Sequence, residues 1–255
     1  MSVLLFPSKP LAADPVDAAS ARTDLRSLGT ADHTEETDGD VSHEASQTEG
    51  RPLVPNEFEA AIAQMIMNHP KQERPELVYD PHLHLVARAK ALDMANRRYK
   101  GHVDPDGFGP NYVVRSLGYE LPKHYSAGKG ANNIESFAWS SKSTRGEAGD
   151  DPAEEPHEAA SRFVDMWYKS PSHKRHLLGQ GFNADQTRFG IGYAQSDSDA
   201  RRRGRSRQTS SSYAIFISAP PSLSEPTPLT EEVVDDYLSR TPRERERALR
   251  TGRYP

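Results

Sequence analysis

The 255-residue chain has no cysteine, which excludes disulfide bridges and thiolate metal sites. It also lacks any apolar run long enough to cross a bilayer as a helix. Aromatic residues make up 8% and hydrophobic residues 35%, against 27% charged, and mean hydropathy is −0.80. Such a balance is too polar for the whole length to bury itself, so sizeable solvated or unstructured segments are expected. The net charge of −5 gives no overall electrostatic reason to bind nucleic acid. There is no P-loop, dinucleotide fingerprint, G-x-S-x-G elbow or H-E-x-x-H zinc helix. Residues 104–107, D-P-D-G, look like part of a calcium loop, but the other spaced oxygen ligands and the closing glutamate are missing.

The first segment, "MSVLLFPSKPLAADP", has a short apolar patch at residues 3–6. It lacks the basic stretch and longer apolar core of a signal peptide, and an unstructured terminus is expected. The alternative is the tail of a signal sequence that starts further upstream. Residues 14–52 are polar, and residues 32–49 carry acids without lysine or arginine. Residues 1–52 are therefore expected to form a disordered acidic region.

Order is expected from about Pro55. Asn56 and Glu59 form an N-cap signal, and Phe58, Ala61, Ile62, Met65 and Ile66 make a helical stripe that His69-Pro70 ends. A second helix follows Asp80-Pro81, with a stripe of Leu85, Val86, Ala89, Leu92 and Ala95 running toward Tyr99. His102 then precedes the D-P-D-G turn. A short helix carries Val113, Val114 and Leu117, and Gly118 stops it. "NNIESFAW" (132–139) reads as a short structured segment, and residues 140–157 as a long polar loop. A helix with Ala159, Ala160, Phe163, Val164 and Trp167 follows, then "SPSHKRHLL". "RFGIGYAQ" (188–195) and "SSYAIFISAP" (211–220) read as strands. Between them, "RRRGRSR" (201–207) is expected to be an exposed hairpin loop; phosphate binding is the other reading it admits. His82 and His84, two apart, fall on different helix faces and are expected at the surface. His176, Asp104 and Asp106 are expected to cap, turn or face solvent. Residues 221–255 form a charged, helical C-terminal extension, expected as a surface appendage.

Several stretches, taken together, resemble one family. "LVARAKALDMANRRYKGHVDPDG" is similar to a helix that ends in a histidine and a D-P-D-G turn. "IESFA" resembles E-N-I-A, with Ser136 where asparagine is usual. "FVDMWYKSPSHKRHLL" resembles a tryptophan-bearing helix followed by S-P-x-H-R-x-x-L, and "FGIGYA" and "YAIFIS" resemble two closing strands. The combination resembles the CAP superfamily of cysteine-rich secretory, antigen 5 and pathogenesis-related proteins, in its bacterial, cysteine-free form. The resemblance implies an α+β fold over residues 53–220, an α-β-α sandwich with a small antiparallel sheet between helical layers. It carries over His102, Glu135 and His173 to a central cleft. Two imidazoles and a carboxylate suit zinc with an open coordination position; a metal-free hydrogen-bonded cluster is the alternative. Family members carry a further glutamate where Ser170 stands, so any zinc held by His102, His173 and Glu135 is expected to be weakly bound, and no cofactor is required.

The resemblance implies a secreted or extracytoplasmic, non-enzymatic protein. It would bind a lipid-like, glycan or protein ligand in or beside the cleft, without nucleic acid or a transmembrane segment. The rival readings are a zinc-dependent hydrolase or peptidase using the same cleft, and an interaction scaffold acting through its charged arms. Because residues 1–52 have no apolar face to bury, a chain starting at Leu53 is expected to keep the full thermal transition by circular dichroism. A large fall in the midpoint would show that the acidic region contributes to folding.

Overall fold

The computed structural model describes residues 54–145, 154–202, 205–226 and 229–250. The acidic region expected over residues 1–52 lies outside them. Seven helices surround one four-stranded sheet: α1 (Glu57–Met67), β1 (Val78–Tyr79), α2 (Pro81–Arg97), α3 (Pro110–Ser116), β2 (Glu135–Arg145), α4 (Pro156–Lys169), α5 (Pro171–Leu178), β3 (Arg188–Arg202), β4 (Arg205–Ala219), α6 (Glu231–Ser239) and α7 (Pro242–Arg250). A 3-10 turn at Gly181–Asp185 links α5 to β3. The strand order is β1-β3-β4-β2.

Strand alternation sorts the core into two layers. On β4, Tyr213, Ile215 and Ile217 face one cluster with Leu83, Val86 and Met94 of α2 and Val114 of α3. Ala214 and Phe216 face the other, with Ile62 and Ile66 of α1 and Phe163 and Trp167 of α4. This is the two-period expected of a sheet covered on both sides. It makes an α-β-α sandwich.

Local chemistry sets the helix starts. Asn56 and Glu59 form a reciprocal capping box at the start of α1. Glu59 is fully buried, and it also takes Arg88 at 2.5 Å and the amide of Tyr193 at 3.2 Å. One carboxylate thereby ties α1 to α2 and β3. Asp80 caps α2 through the amides of His82 and Leu83, and Pro81 fills the first helical position.

Where α2 crosses β3, the sheet presents Gly190 and Gly192. A Cβ on Gly190 would overlap the backbone of Leu83 and His84, and one on Gly192 the backbone of Ala87. Helix and strand therefore touch backbone to backbone, and the "FGIG" glycines serve that close approach.

Several expectations are corrected. The sheet is mixed, because two-residue β1 pairs parallel to β3. Residues 140–145 continue β2 instead of starting a loop, and in the arginine-rich stretch β3 reaches Arg202 and β4 starts at Arg205, the two paired across the strands. Helix α2 stops at Arg97, where Arg98 adopts a left-handed conformation, so His102 sits in the following loop. His82, His84 and His176 are buried. Helices α6 and α7 pack onto the domain: Leu229, Val234 and Tyr237 join the α2–α3 cluster, and Arg245 is buried.

Gly190→Ala is expected to destabilise the fold by about 3 kcal/mol, since rigid backbone on both sides must move. A urea midpoint equal to that of the parent protein would contradict the close contact.

Candidate functional site

The loop after α2 is held from several sides. Asp104 Oδ1 accepts from the amides of Asp106 and Phe108 at 2.9 and 2.8 Å, and Gly107 supplies the positive φ that the turn needs. Arg97 spans Asp93, Asp104 and Asp106 at 2.5–3.2 Å. Tyr99 donates to Asp93 at 2.8 Å, and burial together with that carboxylate pushes the Tyr99 hydroxyl pKa well up. Lys90 donates to the carbonyl of His102 at 2.9 Å. His102 is thus placed by the backbone before its ring makes any contact.

The ring then meets Glu135, the first residue of β2. His102 Nδ1 lies 3.0 Å from Glu135 Oε1. The Glu135 side chain is fully buried while His102 is about a quarter exposed, so the carboxylate is reached through the histidine. Oε2 of Glu135 is also buried and has no protein partner. His173, in the first turn of α5, brings its ring centroid to 5.9 Å from that of His102. Phe137, two residues along β2, packs edge-on against His102 at 4.8 Å and near His173 at 6.5 Å. Burial, and then the neighbouring His102, hold the His173 pKa below the ordinary histidine value, which favours its neutral form with a free lone pair.

Of the four residues expected in the cleft, the structure gathers His102, Glu135 and His173. Ser170 stands at the α4–α5 junction, where its hydroxyl lies 3.2 Å from that of Ser172. Phe137 is an addition that the sequence pattern did not single out. Trp167 is fully buried in the core, whereas Trp139 is half-buried under Lys100, whose Nζ lies 3.1 Å from the ring centroid.

Behind the cleft lies a second polar chain. His176 Nδ1 is 2.7 Å from the Ser136 hydroxyl, and Nε2 is 2.8 Å from Ser218 Oγ. Ser218 in turn donates to Gln186 Oε1 at 2.8 Å. Because Ser218 spends its proton on Gln186, it must accept from His176 Nε2–H, which leaves Nδ1 to accept from Ser136. A neutral imidazole satisfies this sequence of donors. Burial, and then Arg74, hold the His176 pKa well below the ordinary value. Arg74 also donates to the carbonyls of His176 and Leu177 at 2.6 and 2.8 Å. His173 and His176 lie three apart on α5, so this buried lock sets where His173 stands. A serine beside a histidine suggests a nucleophile, but Ser136 and Ser218 are fully buried and meet no substrate.

The model of the CAP family, the cysteine-rich secretory protein family, matches residues 49–202, more than half of the chain. The chain belongs to this family. No curated protein matches this CAP chain. Similar solved structures include an outer surface protein from Borrelia burgdorferi, at 18% identity and TM-score 0.35, covering 67% of this chain and 98% of that one. Another is an extracellular protein containing an SCP domain from Bacillus anthracis, at 18% identity and TM-score 0.32, covering 66% of this chain and 44% of that one. This CAP chain therefore spans less than half the length of the second protein. Among the described residues no helix is long and apolar enough to cross a membrane.

Among the described residues of the CAP domain, no three histidine, aspartate or glutamate side chains are gathered as a metal-ligand set. Glu135 spends one oxygen on His102. It is placed to orient that imidazole, as a carboxylate behind a ligating histidine does.

Two buried imidazoles make stability depend on pH. His84 is pushed down to about 4 by burial, against the pull of Glu59 and with the push of Arg88, and His176 is lowered as well. The unfolded chain takes up these protons near 6.5 and the folded chain resists, so stability is complete above 6.5 and falls as pH drops from there toward 4. Asp80, raised by burial, acts in the opposite sense at the acid end. Urea midpoints are expected to hold from pH ~7.5 to ~6.5 and to fall from there to ~4.5, and His176→Gln is expected to flatten the profile. A profile equally steep in parent and variant would remove His176 from the account.

Proposed function

We propose that this protein is a secreted or extracytoplasmic, non-enzymatic CAP-domain protein that binds a lipid-like, glycan or protein ligand in or beside the His102–Glu135–His173 cleft. The observation that carries the reading is Glu135 Oε2, buried without a protein partner beside two partly exposed imidazoles and the ring of Phe137. A buried carboxylate oxygen is costly unless a donor reaches it. A ligand that offers a hydroxyl or amino donor above an apolar edge would satisfy both features. The family's secretory description supports the location.

A weakly held zinc ion is the second reading, favoured by the adjacent imidazoles. His102, through its outward nitrogen, and His173 would hold it, with Glu135 orienting His102; bound there, zinc would supply Lewis acidity. A hydrolase would also need a positioned base, and Glu135 already serves His102.

Mass spectrometry of the natively purified protein is expected to find a small molecule that the Glu135→Gln variant loses. Retention of the same molecule by that variant would refute the cleft reading. Calorimetric zinc titration is expected to show weak binding, lowered at least about tenfold in His102→Ala/His173→Ala and weakened at acid pH as His173, held below the ordinary histidine value, protonates. Equal heats for the two proteins would reject zinc. Ester or peptide hydrolysis abolished by His102→Ala would establish an enzyme instead.

A further inference from the structure

The strand order β1-β3-β4-β2 leaves one side of β2 without a neighbouring strand. The phase of the β2–β4 ladder decides which backbone groups face that side. The amide of Ser218 donates to the carbonyl of Ile134 at 2.9 Å. The register continues from there without a break, Glu135 opposite Ile217 and Ser136 opposite Phe216. Residues of an antiparallel pair alternate between exchanging both bonds with the partner strand and turning both groups away from it. Ser136, Ala138 and Ser140 therefore direct their backbone groups to β4, while Phe137, Trp139 and Ser141 turn theirs outward. No hydrogen bond from another described residue reaches the outward groups of these three.

The side chains alternate as well. Phe137 and Trp139 pack, half-buried, with the α2–α3 cluster. Ala138 packs with the α1–α4 cluster, and Lys142, on the same face as Ala138, is exposed. His102 belongs to the loop after α2, whereas His173 belongs to α5, whose Leu177 lies in the α1–α4 cluster. The sheet separates these layers, so His173 comes near the rings of His102 and Phe137 by reaching around the edge of β2. The cleft thus closes over the start of this edge, and the remainder runs on from it.

We propose that the open edge of β2 binds an extended, acidic peptide segment of another protein, which adds to the four-stranded sheet as a further strand. Donors and acceptors that recur at every second residue are matched by another extended peptide backbone; a sugar or a lipid has no such repeat. Residues 136–143 carry one charge, that of Lys142, and no acid, and a second lysine, Lys100, lies over Trp139. Acidic side chains on the added strand are therefore favoured over basic ones. An exposed lysine on an edge also works against pairing with a second copy of the same strand. The pattern of the partner follows from β2, with apolar side chains beside Phe137 and Trp139 and acidic ones beside Lys142. This edge needs no donor to Glu135 and so stands apart from the cleft ligand.

The probe is an acetylated, amidated octapeptide with valine at even positions and threonine alternating with glutamate at odd ones, titrated calorimetrically into the full chain. The same peptide with lysine in place of glutamate is expected to bind several-fold more weakly. Ser141→Pro removes an outward N–H and no bond to β4, so circular dichroism is expected to stay unchanged while affinity falls at least about tenfold. Ser141→Ala keeps that N–H and is expected to bind as the parent does. Two further peptides, N-methylated at every valine or at every threonine and glutamate, test the ladder without altering the protein. An added strand turns only alternate amides toward β2, so one of the two is expected to lose binding and the other to keep it. Equal affinity of the parent and Ser141→Pro, or of the two methylated peptides, would overturn the proposal, as would the absence of heat from the unmodified octapeptide. A dimer of the free chain that Ser141→Pro separates in sedimentation would assign the edge to a second copy and overturn it too. A lysine peptide that binds as tightly as the glutamate peptide would overturn the choice of an acidic partner. The cleft ligand is read separately through Glu135→Gln, so failure at the edge leaves the cleft reading standing.

Discussion

The sandwich depends on α2 lying directly against the backbone of β3. Gly190 and Gly192 leave no side chain between strand and helix, so the helix beds into the sheet at Leu83, His84 and Ala87. Everything on that side inherits its position from this contact. Because α2 is sunk so deep, it is buried well beyond the single stripe of an ordinary surface helix, from His82 to Ala95. Polar residues at its start and along it are buried or half-buried with it, and several are paired. Asp80 is answered by the first amides of the helix, Arg88 by Glu59, and Asp93 by Arg97 and Tyr99.

From that fixed helix the cleft is assembled by two polar locks. Lys90 and Arg97, about two turns apart on α2, hold the carbonyl of His102 and the acids of the D-P-D-G turn. On the other side, Ser136 and Ser218 hold His176 and so fix α5 against β2 and β4. One lock places His102 and the other places His173, while Glu135 is carried by the strand between them. The exposed imidazoles can then differ in use from the buried ones. His84 and His176 are held toward the neutral form inside, whereas His102 and His173 are partly exposed beside the buried Glu135.

Features written in short-range chemistry are legible in the sequence itself. The Asn56–Glu59 box, the Asp80-Pro81 start and the amphipathic α4 each follow from neighbours a few residues apart. The strand ends are not legible in this way, because "SSKSTR" and "RRRGRSRQTS" have no apolar alternation and one β-branched residue each, Thr144 and Thr209. The ends extend because β4 pairs on both sides, with β2 out to Arg145 and with β3 out to Arg202, a non-local gain that composition does not display. The burial of His82, His84 and His176 escapes the sequence for a related reason. Polarity suggests the surface, but depth is decided by how closely α2 and α5 approach the sheet. Without the family resemblance, the meeting of His102, Glu135 and His173 would be invisible, since positions 102, 135 and 173 are linked by no spacing rule. Phe137 gives no signal beyond strand alternation from Glu135, which is the one cue that places both on the same face.

The C-terminal helices show how far the cleft depends on residues beyond the family's matched span, which ends at 202. Asp93, Asp104 and Asp106 bring three carboxylates to the loop before the cleft, and Arg97 alone is one cation for all of them. Arg245 of α7 supplies a second, 3.6 Å from Asp93 and 3.8 Å from Asp106. Its other nitrogens cap α6 at the carbonyls of Tyr237 and Leu238, both at 2.9 Å. One guanidinium therefore ends a helix and balances the acid cluster at once, and removing a cation from buried carboxylates costs more than an exposed pair would. Charge that looked like the mark of a solvated tail is, at this arginine, the counterweight to the turn that presents His102.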